Sequence, residues 1–118
     1  MSIEGLWTIE FSKSEEEVGG FKIEEQMNRG GIIVLFDKKL LGGGLSYYFV
    51  GSYKVSGSDI DISLDAIKYN DIVSGPFGTT NKASVFFKGT ITGNSMTLRG
   101  HVEDNPNNRL LIRAEHRI

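Results

Sequence analysis

The sequence predicts an all-β protein, a small antiparallel β-barrel of about eight strands with little helix. Three observations carry this. Apolar and polar residues alternate with period two through most of the chain, and no segment holds a helical period or an internal repeat. Fifteen glycines and two prolines among 118 residues supply tight turns at short intervals. On the late strands, large residues (Phe87, Leu98, Ile112) and small ones (Ala66, Gly89, Gly100, Ala114) share one face. That mixture fits the taper of a small barrel rather than the even faces of a sandwich. The length corresponds to a single domain, residues 1–118.

The elements follow in order. Gly5 to Ser12 alternates, with Trp7, Ile9 and Phe11 on one face and Thr8 and Glu10 on the other, a half-buried strand. Lys13 to Glu17 is polar and precedes Gly19-Gly20, which reads as a loop or one helical turn. Phe21 to Met27 has no clear period and is compatible with a short strand or an exposed helical turn, ended by Gly30-Gly31. Ile32 to Phe36 is apolar at both parities, hence a strand covered on both sides or at an interface. Asp37-Lys38-Lys39 turns into Leu40-Leu41. A glycine cluster, Gly42-Gly43-Gly44, then leads into a long aromatic strand from Leu45 to Val55 with Gly51 inside it. An interior glycine marks a bend or close backbone approach, as a tightly curled sheet requires. Asp59 to Tyr69 alternates cleanly, with Ile60, Ile62, Leu64 and Ala66 against Asp59, Asp61, Ser63 and Asp65. Asn70 to Asn81 reads as a loop. Lys82 to Thr92 and Ser95 to Glu103 are strands joined by a two-residue turn at Gly93-Asn94. Asp104 to Asn108 reads as a loop and Arg109 to Ile118 as the last strand. Trp7, Phe11, Ile62, Leu64, Val85, Phe87, Leu98 and Ile112 are the expected interior.

Chemistry is sparse. With no cysteine there is no disulfide, thiolate metal site or thiol nucleophile. His101 falls on an outer face and His116 on an inward one near the chain end, so they do not form a metal pair. His116 reads as a rim histidine with a satisfied hydrogen bond. No serine lies in a nucleophile elbow, and Gly42-Gly43-Gly44 precedes a strand rather than the helix a phosphate cradle needs. The expectation is a non-enzyme without cofactor or metal. A net charge of −2 offers no global field for nucleic acid. The longest apolar run, Ile32 to Phe36, is far short of the ~20 residues of a membrane helix. Met1 to Gly5 has no basic or apolar signal region, so a cytoplasmic location is expected. Asp59 and Asp61 project from one side of their strand and offer a docking strip for a basic partner. Arg109, Arg113 and Arg117 share an outer face with Leu111 and Glu115.

Several segments together resemble the GrlR-like family: Gly5-Leu6-Trp7-Thr8-Ile9-Glu10-Phe11, the stretch from Gly42 to Tyr53, Lys68-Tyr69-Asn70 and the final strand. The family is named for a negative regulator of bacterial type III secretion genes and has a lipocalin-like barrel. The resemblance implies a regulator that holds a transcriptional activator in a protein–protein complex, without cofactor or catalysis, and a homodimer formed through exposed apolar barrel surface. Ile32, Val34, Tyr48 and Val50 are the expected dimer contacts. This chain departs from the family pattern in having Gly42-Gly43-Gly44 where relatives carry Gly-Gly-Asp, and in extra residues between Ser14 and Gly30. Where the named regulator has an acidic Glu-Asp-Glu-Asp run, this chain has Ser58-Asp59-Ile60-Asp61. The second expectation for function is a carrier of a small, fatty-acid-like molecule, if Ala66, Gly89 and Gly100 leave room inside the barrel.

Overall fold

In the computed structural model, which describes residues 3–17, 20–23, 29–71 and 81–118, every regular element is a strand. In order these are β1 (Gly5–Glu17), β2 (Gly20–Ile23), β3 (Arg29–Phe36), β4 (Lys39–Gly43) and β5 (Tyr47–Ser56). They are followed by β6 (Asp59–Lys68), β7 (Lys82–Thr92), β8 (Ser95–Val102) and β9 (Asn105–His116). All neighbours are antiparallel. The pairing of β1 with β9 closes β1 and β3 to β9 into a lipocalin-like barrel of eight strands, with β2 a short addition to the far end of β1. Beyond His116 the closure continues, because the Leu6 N–H donates to the Ile118 carbonyl at 2.7 Å and the Arg117 N–H to that of Leu6 at 2.8 Å. Closure leaves none of these eight strands as a free edge along its full length, which removes the usual template for sheet-to-sheet aggregation. No helix among the described residues is long and apolar enough to cross a membrane.

The inward faces form one apolar core. Trp7, Leu35, Leu40, Ile60, Met96, Leu98 and Val85 are fully buried. Of the expected interior, Trp7, Ile62, Leu64, Val85, Phe87, Leu98 and Ile112 are buried, and Phe11 packs against the core while partly exposed. Gly42 and Gly51 stand at close strand approaches. A Cβ on Gly42 would stand 2.1 Å from the Ile32 carbonyl oxygen, and one on Gly51 2.2 Å from that of Ser63. Any larger residue would have to push neighbouring strands apart, so both positions hold the sheet in its curl.

Several boundaries differ from the sequence expectation. Residues 13–17 continue β1 instead of looping: Lys13 and Ser14 pair with Leu110 and Arg109 of β9, and residues 14–17 with Gly20–Ile23. They carry no apolar period, so the usual strand cue is missing there. The rest of Phe21 to Met27, and most of the loop from Asn70 to Asn81, lie outside the described residues. Gly30 and Gly31 do not end an element; they sit within β3, opposite Glu10 and Ile9. The strand β5 begins at Tyr47, not Leu45. The Gly44-Leu45-Ser46 segment is held by the end of β6: the Tyr69 hydroxyl donates to the Gly44 carbonyl, Asn70 Nδ2 to that of Leu45 at 3.0 Å, and Ser46 Oγ to Asn70 Oδ1 at 2.8 Å. Leu45 is thereby turned out to solvent. The last strand begins at Asn105 rather than Arg109, with a register irregularity at His101 and Val102 that lets Pro106 join the strand without a regular ladder partner.

The turns show where backbone strain sits. At Gly93-Asn94 only Gly93 has a positive φ, 60°. Gly57, between β5 and β6, has φ 63°. The turn from β3 to β4 differs, because its two central residues, Asp37 and Lys38, take φ 50° and 64° without being glycine. This is the conformation of a type I′ hairpin, usually filled by Asn-Gly. Two outside contacts hold it: the Asp37 N–H donates to Glu4 Oε2 at 2.7 Å, and the Tyr53 N–H to the Lys38 carbonyl at 3.0 Å.

Candidate functional site

Alternation sends every second residue outward, and on parts of three adjacent strands, β3, β4 and the start of β5, those residues are apolar. Register aligns them in rows. Leu6 of β1 lies opposite Val34 of β3, Val34 opposite Leu41 of β4, and Leu41 opposite Val50 of β5. The neighbouring row runs from Ile32 through Gly43 to Tyr48 and on to Ile67 of β6. Ile32 and Val50 are 44% exposed, Tyr48 42% and Leu41 55%. No charged side chain interrupts the first row until Asp65, opposite Val50 on the far side, or the second until Lys82, opposite Ile67. Phe36, also outward and 66% exposed, continues the patch toward the β3–β4 turn, where Lys39 ends it. Scattered apolar residues on a surface are ordinary, but a contiguous apolar face across neighbouring strands marks a binding surface.

The expected contacts Ile32, Val34, Tyr48 and Val50 therefore lie together on one face. Their strand neighbours Ile33 and Leu35 are buried, which resolves the double-sided apolar run: one parity fills the core and the other meets solvent. Leu41 stands at the centre of this face and was missed from sequence. The signal was present in Leu40-Leu41, where only one of two adjacent leucines can point inward.

Asp59 and Asp61 are exposed and project outward from β6, as expected. Their surroundings are not uniformly acidic. Asp61 lies between Lys54 of β5 and Lys88 of β7, and Asp59 between Ser56 and Thr90. Asp65 accepts a hydrogen bond from Ser84 Oγ at 2.7 Å and lies 3.8 Å from Lys82 Nζ.

The histidines sit apart. His101 is exposed beside Phe86, their ring centroids 6.1 Å apart. His116 stacks on Trp7 at 4.6 Å, nearly parallel at 11°, with its Nε2 3.0 Å from the Glu4 carbonyl oxygen. It is a rim residue bound into the end of the core, as expected. The Ser46, Ser84 and Ser95 hydroxyls donate to Asn70, Asp65 and Glu115. Among the described residues, no group of three or more His, Asp or Glu stands close enough to hold a metal. The Tyr53 phenol is pushed above its ordinary value, chiefly by burial, with the Glu4 and Asp37 carboxylates adding and a hydrogen bond from the Lys38 backbone opposing.

Beside two of the small inward residues, large side chains of the neighbouring strand stand close. A Cβ on Gly89 would meet Leu98 Cδ2 at 2.6 Å, and one on Gly100 would meet Phe87 Cδ1 at 2.7 Å. Each glycine makes room for a large side chain of its neighbour strand. No protein-family model and no curated protein matches this chain.

Proposed function

We propose that this chain is a non-enzymatic regulatory protein that acts by binding other proteins, and that its outer β3–β4–β5 face receives a second copy of itself. The supporting observation is the contiguous, exposed, charge-free apolar face centred on Leu41 and flanked by Ile32, Val34, Tyr48 and Val50. A partner of unlike kind would be selected by charges of opposite sign, and the rows of this face hold none to select with. Two copies related by a two-fold axis match such rows against each other without stranding a charge. The GrlR-like resemblance leads to the same reading, with a transcriptional activator as the regulated partner and Asp59 and Asp61 as its contacts.

Sedimentation at micromolar concentration tests the reading. The expected result is a dimer that Leu41→Asp converts to a monomer with unchanged circular dichroism. A wild-type chain that stays monomeric across that range removes it. The carrier reading has no comparable support, since Leu98 and Phe87 occupy the space beside Gly89 and Gly100.

A further inference from the structure

Charge is distributed unevenly along this chain. Residues 82–118 carry six Lys or Arg against three Asp or Glu, a net of +3, while the first 81 carry seven against twelve, a net of −5. The fold gathers the positive part on one side, the outer face of β7, β8 and β9. There Lys88 stands directly opposite Arg99, and Arg113, between Thr97 of β8 and Glu10 of β1, lies diagonal to Arg99. All three are exposed, and among the described residues none is in an ion pair. One rung away on the same face are the exposed rings of Phe86 and His101. Lys54 extends the row beyond Asp61.

Like charges directly opposite on neighbouring strands destabilise a sheet. Asp61, on the far side of Lys88, relieves this only in part, because it is shared with Lys54. A pairing that breaks a local rule without gain to the free protein marks a surface shaped by binding. We infer that the β7–β9 face is a docking site for an acidic segment of a partner protein, with Lys88, Arg99 and Arg113 meeting its carboxylates and Phe86 an apolar side chain. The charge balance favours a peptide over a nucleic acid. A polynucleotide carries charge along its whole length and would run onto the net negative remainder of the chain, whereas a short acidic segment matches the positive face alone. This site rests on the reading of the chain as a protein-binding barrel but not on the dimer. Around the ring of eight strands, β8 is four strands from β4 in either direction, so the two faces look opposite ways.

The test uses the full chain and a fluorescein-labelled peptide of alternating glutamate and glycine with one central phenylalanine. A glutamine version of the peptide and an oligothymidylate of equal length serve as comparisons. The expected result at low salt is saturable binding of the glutamate peptide and not of the glutamine one, weakened at least about tenfold by Arg99→Glu. The same substitution sets a carboxylate opposite Lys88, so the free variant should hold its melting temperature or gain about 1–4 °C. Weaker binding by an equally or more stable protein is not produced by damage to the fold. Leu41→Asp should leave peptide binding intact, which separates this site from the dimer face. The inference is overturned if the glutamate peptide binds no better than the glutamine one, or if Arg99→Glu leaves its affinity unchanged. Loss of binding in Leu41→Asp, or tighter binding of the oligothymidylate, overturns it as well.

Discussion

The turn between β3 and β4 should be under strain that a single substitution can release. Asp37 and Lys38 both hold positive φ values, 50° and 64°, without being glycine. An L-residue in the left-handed region costs roughly 1–2 kcal/mol, through the approach of its Cβ to the following carbonyl, with Asp penalised less than Lys. Glycine at Lys38 removes that cost and adds a loss of chain entropy of roughly 0.5–1 kcal/mol. The expected net gain for Lys38→Gly is therefore about 0.5–1 kcal/mol. At this chain length that is a rise in melting temperature of roughly 2–5 °C. The two outside contacts survive the change, because the Asp37 N–H still donates to Glu4 and the Lys38 carbonyl remains to accept from Tyr53.

The mirror experiment isolates the same cause. A Cβ on Gly57 or Gly93 would meet nothing within 4 Å, and both have positive φ, 63° and 60°. Alanine at either position therefore adds no clash, only backbone strain of roughly 1–2 kcal/mol less the roughly 0.5–1 kcal/mol of chain entropy it recovers, and should cost about 0.5–1 kcal/mol. Urea unfolding of the three variants, with slopes equal to wild type, reads all of these values directly. If Lys38→Gly is no more stable than wild type while Gly57→Ala is clearly destabilised, the reasoning fails at the hairpin, and the contacts from Glu4 and Tyr53 already compensate the strain.

Truncating Trp7, which is fully buried and donates its Nε1–H to the Ile3 carbonyl at 2.8 Å, should cost about 3–5 kcal/mol in the same urea assay. His116→Ala, by removing the ring stacked on Trp7, should cost about 0.5–1.5 kcal/mol. The raised Tyr53 phenol favours the neutral form in the folded state, so its contribution is complete below pH 10.0 and lost as pH rises through the raised value; Tyr53→Phe should therefore flatten the fall of melting temperature on the alkaline side. Replacing Asp59 and Asp61 together by Ser should change stability by less than ~0.5 kcal/mol, and a slower, less salt-sensitive association with a basic partner would identify them as contacts.

The barrel was legible because burial in a closed sheet imposes a strict period of two. From β5 to β8 that period runs almost unbroken, and the buried set Ile60, Ile62, Leu64, Ala66 is the one alternation selects. Legibility stopped where residues serve something other than the core. Residues 13–17 form a strand by pairing with the start of the last strand and with β2, without an apolar period to announce it. Leu45 looked like the first inward residue of β5, but the Tyr69 and Asn70 side chains, distant in sequence, hold its segment out of the ladder. Leu111 has the parity of the outer face and is nevertheless only 2% exposed, which alternation alone did not predict. The apolar face was half legible: Ile32 to Phe36 announced a surplus of apolar residues, but only register could set Leu41 between Val34 and Val50.

Register also decides how the charges are to be read. In sequence, Asp59 and Asp61 form an acidic pair and the arginines of the last strand repeat every fourth residue, which pointed to one acidic strip and one basic strip. In the folded chain Asp61 stands between two lysines, while Lys88 stands opposite Arg99, residues eleven apart that no local pattern connects. The strands around β4 present an apolar surface and those around β8 a cationic one, half a circumference apart. A dimer joined at β4 would carry two β8 faces directed away from the joint. Two acidic segments could then be held at once, and a partner with two such segments would gain avidity that the monomeric Leu41→Asp variant lacks.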